Sequence, residues 1–518
     1  MSAAANITGK LPLGIGEDST GAPLGHDPKN PGRDNRVTRM GTASIPRLIT
    51  EFSIPSILGM MVNGAYVIID SVFLGTAMGP VGIEAMTVVN PIVIVFLAIS
   101  MLIGVGGNAL AALRFGEGKR VDAEISLGNT VLLSVIASAL VAVLAAIPIV
   151  LDSLLTLAST PDVVRPHAEA FLRIVSFGFI FQCIGMGVNN FIRTAGAPNR
   201  ALLTMVIGAV SCTAFNYLFV IQLGWGVEGS AFATICGQAI SCASVLWFFI
   251  FTKNVPLRLH VRYMRLRPKV VKTILSLGTA SFFLQAGAAV VSFVLNHLLA
   301  VYGAASPLGE EFALASIGVV QRIAIFSVLP IIGVSVAIQP LIGFNYGARI
   351  VPRVRRTFWY GVAGVTAIGL LMWALVHLFP EQIVGAFGIT SRDLSDFTVF
   401  ALKVQLLMLP FLGFQIVGSN YFQATGQPVK SMVLTLTRQI LFLVPLLLVL
   451  PQILPHILPQ FTSLDALYFA APCSDVLAIV TTAVFVFFEM RRLKKLEAGK
   501  ARAKILEEGT PGAEAASA

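Results

Sequence analysis

Charge is what this chain has least of. Only 12% of its 518 residues are Asp, Glu, Lys or Arg, about half the share of an ordinary soluble chain. With 56% hydrophobic residues and a mean hydropathy of +0.83, too little polar surface remains to meet water. A soluble enzyme, a nucleic-acid binder and a secreted scaffold are excluded, and a polytopic membrane protein is implied. Cysteine is scarce as well. Cys183, Cys212, Cys236, Cys242 and Cys473 all lie in or beside apolar stretches, with no loop pair to staple, so no disulfide framework is implied. The six histidines (His26, His167, His260, His297, His377 and His456) are scattered. With no HExxH, no GxSxG and no paired Cys/His spacing, enzyme chemistry finds little support. The glycines of PLIGFNYGA and VEGSAFAT follow helical runs rather than a strand, so they cradle no phosphate. ATP-binding motifs are absent too, which points to an ion gradient as the energy source.

What is present is a succession of apolar runs. Residues 1–46, rich in Gly, Pro, Asn, Asp and Arg, contain no apolar stretch of signal-peptide length and read as a disordered cytoplasmic tail. Twelve segments of spanning length follow, near 48–75, 84–113, 122–150, 167–192, 201–223, 227–252, 270–302, 312–342, 354–379, 395–424, 431–453 and 466–490. Alternate connections carry Arg114, Lys119 and Arg120; Arg193 and Arg200; a long basic run over 253–272; Arg349, Arg353, Arg355 and Arg356; Lys430; and Arg491, Arg492, Lys494 and Lys495. The opposite connections hold only Arg165 and Arg392. The net charge of +10 is therefore topogenic, and it places both termini in the cytoplasm. The expected division is a six-helix lobe over 47–252, a basic cytoplasmic linker over 253–269, a second six-helix lobe over 270–490 and a cytoplasmic tail over 491–518.

An internal repeat supports two lobes. At an offset of about 229, IGVGGNALAALRFGEGKR (103–120) lies over IGVSVAIQPLIGFNYGAR (332–349), matching Gly104 with Gly333, Phe115 with Phe344, Gly118 with Gly347 and Arg120 with Arg349. NNFIRTAGAPNR (189–200) lies over SNYFQATGQPVK (419–430) in the same way. Six spans per half is an even number, so the halves are parallel repeats, an arrangement typical of transporters that work by alternating access.

Ionisable groups at bilayer depth are functional candidates by default. Asp70 in the first span shares a helix face with Asn63 and Tyr66, and with a cytoplasmic N-terminus it sits in the outer half of the membrane. A carboxylate there either binds a proton or Na⁺ in turn, or serves as a structural group near a helix end. Pro55, on the same helix, is a candidate hinge; Pro91, Pro330, Pro340, Pro410 and Pro445 read equally well as static kinks. The second half lacks an equivalent acid, since Asn296 falls opposite Asp70. It offers Arg322, Lys403 and Arg438 with Gln321, Gln339 and Gln285 as candidates for lining the cavity, contacting substrate or gating. Lys403 can instead snorkel to the outer interface, and Arg438 and Arg322 can instead bond backbone carbonyls. His297 is a candidate proton relay or a satisfied buried imidazole.

These residues resemble a known family. YVIIDSVFLG (66–75), NNFIRTAGAP (189–198), QPLIGFNYGA (339–348), YFQATGQPVKS (421–431), RQILFLVPLLLVLP (438–451) and APCSDVLA (471–478) are together similar to multidrug and toxic compound extrusion (MATE) transporters, and within them to the MepA-like branch. The resemblance covers about residues 45–495. It implies an all-α, V-shaped protein of the bacterial plasma (inner) membrane, with twelve helices in two bundles. It further implies a monomeric exporter of cationic or amphipathic drugs or toxic compounds, in antiport with H⁺ or Na⁺, without a cofactor and with membrane lipids but no nucleic acid as partners. Asp70 matches the family's first-helix carboxylate, and Thr234 fits its sixth-helix hydroxyl ligand. Asn216 stands where many relatives carry a second acid, and Cys212 where they carry Asn. One carboxylate with neutral oxygens is a weaker Na⁺ site, which favours the proton. A flippase for lipid-linked intermediates, from the same superfamily, is the alternative; it predicts additional helices forming a lipid groove.

Overall fold

The computed structural model describes residues 39–78, 80–157, 160, 164–252, 255–304, 310–387 and 392–508. Among these the chain is nearly all helix, with no strand. The spans are α1 (Ile45–Met78), α2 (Pro80–Gly116), α3 (Arg120–Ala146), α4 (Arg165–Thr194), α5 (Pro198–Gln222), α6 (Gly226–Phe251), α7 (Pro268–Ala304), α8 (Glu310–Gly347), α9 (Val351–Leu378), α10, α11 (Pro428–Ile457) and α12 (Ser463–Glu508). Eleven are single runs, and α10 is a pair, Arg392–Gln405 and Leu409–Ala424, meeting at 44°. Counting that pair once gives the twelve spans expected. Pro410 does not interrupt a helix, because it sits in the first turn of the second piece, where its missing N–H costs nothing. Pro55, Pro91, Pro330 and Pro340 do lie inside helices.

Two spans are wound differently part-way along. In α5 the residues Tyr217–Gln222 form a π-helical stretch, and in α11 Thr437–Leu443 do the same. Such widened turns shift the helical register and recur at functional sites.

The repeat is visible in backbone geometry. Gly196 and Gly426 close their turns at φ 75° and 76°, as the sequence match requires. In the other pair the match moves by two residues. Gly118 (φ 76°) has its counterpart in Arg349 (φ 58°), not in Gly347, and the residues that follow, Lys119 and Ile350, share φ −87°, ψ 70°. Gly116 and Gly347 are the true equivalents, and they pack reciprocally. A Cβ on Gly116 would lie 2.0 Å from the Phe344 carbonyl oxygen, and one on Gly347 would lie 2.2 Å from that of Leu113. Only bare backbones approach so closely.

These contacts join the two lobes at the basic end of the molecule, where all the Arg- and Lys-rich connections lie. Gly106 and Gly278 continue the seam between α2 and α7, and Gly333 against Ile57 and Gly64 against Leu329 extend it between α8 and α1. Towards the other end Phe293, Asn296, His297, Arg322 and Ile325 are exposed, so the lobes close at one end of a V.

The lobes also exchange helix ends. The tail read as disordered to residue 46 is helical over 39–42, and Met40 is fully buried; residues 1–38 lie outside the described residues. Met40, Ile45, Leu48, Ile49 and Phe52 pack in one cluster with Ile338, Leu341, Phe358 and Tyr421 of the second lobe, whereas Leu74, farther along α1, packs with Phe179 and Val227 of the first. Arg353 donates from Nη2 to the carbonyls of Met40 (3.2 Å) and Ala43 (2.7 Å), and Asn345 Nδ2 donates to Met40 O at 3.2 Å. Reciprocally, Ile274 and Leu277 of α7 pack with Ala109 and Leu110 of α2. The basic connection between the lobes is strapped to α3: Arg120 Nε donates to Pro256 O (2.8 Å), Arg258 N to Glu124 Oε1 (3.1 Å) and Arg267 N to Asn129 Oδ1 (3.0 Å).

Candidate functional site

Three helices of the first lobe each bring two polar residues to one place, four positions apart so that both side chains share a face. They are Tyr66 and Asp70 on α1, Cys212 and Asn216 on α5, and Ser230 and Thr234 on α6. Asp70 is only 4% exposed, and its Oδ1 accepts a hydrogen bond from Ser230 Oγ at 2.7 Å. The Asn216 amide stands against the same carboxylate, and its Nδ2 donates to Cys212 Sγ at 3.6 Å. Asn216 Oδ1 is buried and has no hydrogen-bond partner. Thr234 lies beside Cys212, and Tyr66 near both Cys212 and Asp70. Asn216 is the last residue before the π-helical stretch of α5.

The site is therefore one carboxylate among neutral hydroxyl, amide and thiol groups, with one unsatisfied oxygen. That arrangement holds a proton on Asp70 or surrounds a small cation with oxygens. Asp70, Asn216, Thr234 and Tyr66, all singled out in the sequence, are brought together, and Asn63 lies one turn before Tyr66, partly buried. Ser230, which donates to the carboxylate at 2.7 Å, was not singled out. Its signal was present: it precedes Thr234 by one turn in GSAFAT.

The second-lobe candidates do not form one cluster. Gln339 Nε2 donates to Gln423 Oε1 at 2.9 Å, and Gln423 Nε2 donates to Leu277 O at 2.7 Å, so this amide pair is built into the packing of α7, α8 and α10. Arg438 Nε donates to Asp475 Oδ1 of α12 at 2.8 Å. An acid is thus present in this lobe after all, although not opposite Asp70. Arg322 and His297 are exposed, and Gln321 and Gln285 are half-buried. Pro55 is buried in α1, between its end in the second lobe and Asp70 in the first.

The sequence profile of the MatE family matches residues 55–218 and 280–449, well over half of the chain. The chain belongs to the MatE family. Among its relatives, the multidrug export protein MepA of Staphylococcus haemolyticus is 24% identical over 398 residues, covering 76% of this chain and 85% of that one. MepA of Staphylococcus aureus (strain MSSA476) is 23% identical over 403 residues with the same coverage. A solved structure, the outward-facing conformation of a multidrug resistance MATE family transporter of the MOP superfamily, superposes with a TM-score of 0.79 at 23% identity, covering 88% of this chain and 98% of that one. MatE proteins are transporters rather than enzymes, so the buried polar groups of this MatE chain are read as sites of ion or substrate binding.

Proposed function

We propose that this MatE protein is a secondary active exporter of structurally varied cationic or amphipathic organic compounds, driven by antiport with H⁺. The observation that carries the ion site is Asp70: a buried carboxylate, bonded by Ser230 and set against the Asn216 amide, on the helix whose other end belongs to the opposite lobe. Protonation of Asp70 removes the charge that Ser230 and Asn216 face, and any resulting movement of α1 is passed through Pro55 to the second lobe, in which Met40–Phe52 are packed. Alternating access then consists of opening the glycine seam at the basic end while the other end closes. In this reading Arg322, Gln321, Gln285 and His297 line the opening between the lobes, supported by their exposure or half-burial on α7 and α8, whereas Gln339 and Arg438, already bonded within the second lobe, act on its geometry. The division at 253–269, a bacterial inner membrane and a cytoplasmic basic face belong to the same reading, supported by the charge pattern and by the export function named for the MepA relatives, and the exporter is read as a monomer.

Na⁺ as the coupling ion is the second reading, favoured by the Asn216 oxygen and by Thr234. Transport in everted vesicles under imposed gradients separates the two. Proton coupling requires dye export that follows a pH gradient, persists without Na⁺ and collapses with a protonophore. Asp70→Asn keeps the shape of the side chain and loses its titrating charge, so it should reach the membrane folded and fail to export against a gradient; wild-type export by this variant refutes the assignment.

A further inference from the structure

The two lobes repeat more than their turns. In the first lobe the buried carboxylate of Asp70 lies against α5 at the edge of its π-helical stretch, with α6 supplying hydroxyls. The repeat-related helix of the second lobe is α11, since Pro198 and Pro428 start the two helices after the matching turns at Gly196 and Gly426. It too has a π-helical stretch, Thr437–Leu443, and a carboxylate again lies against it. Arg438, the second residue of that stretch, donates from Nε to Asp475 Oδ1 at 2.8 Å. Ser474, next to Asp475, donates from Oγ to the Arg438 carbonyl at 2.9 Å, so α12 holds both the head and the backbone of this arginine. Arg438 is ten residues into α11, about 15 Å from its basic end, which places the pair well inside the bilayer.

Among the described residues Arg438 alone bonds Asp475. The helices packed on α12 are α7, α9, α10 and α11. Among the described residues their other histidines and lysine within the membrane, His297, His377 and Lys403, and their tyrosines, Tyr302, Tyr360 and Tyr421, make no bond to it, and Lys430 is held by Glu489 at the basic end, 3.1 Å away. The Asp475 side chain is 9% exposed, while that of Arg438 keeps 23%. The acid is sealed and its counter-ion is not.

We propose that Asp475 is a second proton-binding carboxylate, located in the second lobe, with Arg438 as its built-in counter-ion. The inference rests on the proton-antiport reading above and adds a second titrating group to it. Protonation places one H⁺ on a carboxylate oxygen of Asp475, leaves the guanidinium unchanged, and raises the charge of the pair from zero to +1. A lone positive charge is unfavourable in a dry membrane interior. The protonated state therefore belongs to a conformation in which Arg438, already partly exposed, reaches water. Release of the proton re-forms the pair and ties α11 to α12 again. A purely structural ion pair, by contrast, stays ionised throughout.

Infrared difference spectroscopy between alkaline and acidic buffer, on the full-length protein in lipid nanodiscs, reads protonated buried carboxyls directly and needs no transport. The wild type should show a pH-dependent carboxyl band with components from both sites. Asp70→Asn should retain the Asp475 component, and Asp475→Asn the Asp70 component. Because Asp475→Asn strands Arg438, the charge-neutral double variant Arg438→Gln with Asp475→Asn is measured alongside and should lose the same component. An unchanged band in both Asp475 variants overturns the proposal. Failure of the antiport reading has a different signature, namely export by Asp70→Asn at the wild-type rate, whatever the spectra show.

Discussion

Gly106 is among the positions where the seam between the lobes tolerates least. A Cβ there would lie 2.0 Å from the Ile274 carbonyl oxygen and 2.8 Å from the Gly278 nitrogen. Both are backbone atoms, so no side chain can swing aside. To restore an ordinary separation of about 3.5 Å, α2 and α7 must part by about 1.5 Å. Overpacking of this kind costs about 1–3 kcal/mol, and the cost falls only on the conformation in which the seam is shut. Gly106→Ala should therefore shift the balance towards the conformation open at the basic end by roughly 5- to 150-fold. Leu113, a half-buried residue of α2 beside Gly347, reports this opening when replaced by cysteine in a background lacking the five native cysteines. Its reaction with a membrane-impermeant maleimide supplied to the basic face should accelerate by a factor in that range. Gly318→Ala is the control, since a Cβ at Gly318 meets nothing within 4 Å. Equal labelling rates in Gly106→Ala and in the control refute the idea that this seam is the closed gate.

Three further outcomes are expected. Asn216→Asp places a second acid beside Asp70 and should strengthen any stimulation of export by Na⁺; an unchanged Na⁺ response means that Asn216 does not face the ion. Single cysteines in 76–83, 303–310 or 454–464 should label from outside the cell, and those in 253–268 only from inside, so inside-only labelling at 303–310 would break the topology. Arg353→Ala removes two hydrogen bonds to the carbonyls of Met40 and Ala43, together worth at most about 3–6 kcal/mol when the donor is charged. Thermal unfolding should begin earlier and limited proteolysis should gain a cut near residue 40; an unaltered digest shows that the apolar burial of Met40 alone holds the segment.

Twelve spans, the basic face and the Asp70 site were legible in the sequence because each leaves a one-dimensional trace: hydropathy over some twenty residues, alternation of Arg and Lys, and a carboxylate in an apolar run. What escaped depends on contacts between helices. Asp475 was quoted within APCSDVLA and Arg438 was singled out, but their pairing joins two spans and has no pattern along the chain. Gln339 looked free for a substrate until Gln423, 84 residues away, claimed it. The repeat slipped by two residues for a different reason. Identity matching slid Gly118 onto Gly347, whereas the conformation that Gly118 supplies is adopted by Arg349, at the modest strain a positive φ imposes on a side-chain-bearing residue.

The exchange of helix ends bears on how the chain is made. Met40 and Ala43 emerge early in synthesis, yet Arg353, which bonds their carbonyls, lies 313 and 310 residues later. Until α8 and α9 are inserted, the start of α1 has none of the surface that finally buries it, and neither lobe can complete its packing while the other is absent. The halves of the chain are thus joined in biogenesis: an amino-terminal half produced alone would present Ile45, Leu48, Ile49 and Phe52 to lipid or to chaperones, and would become native only when its partner arrives.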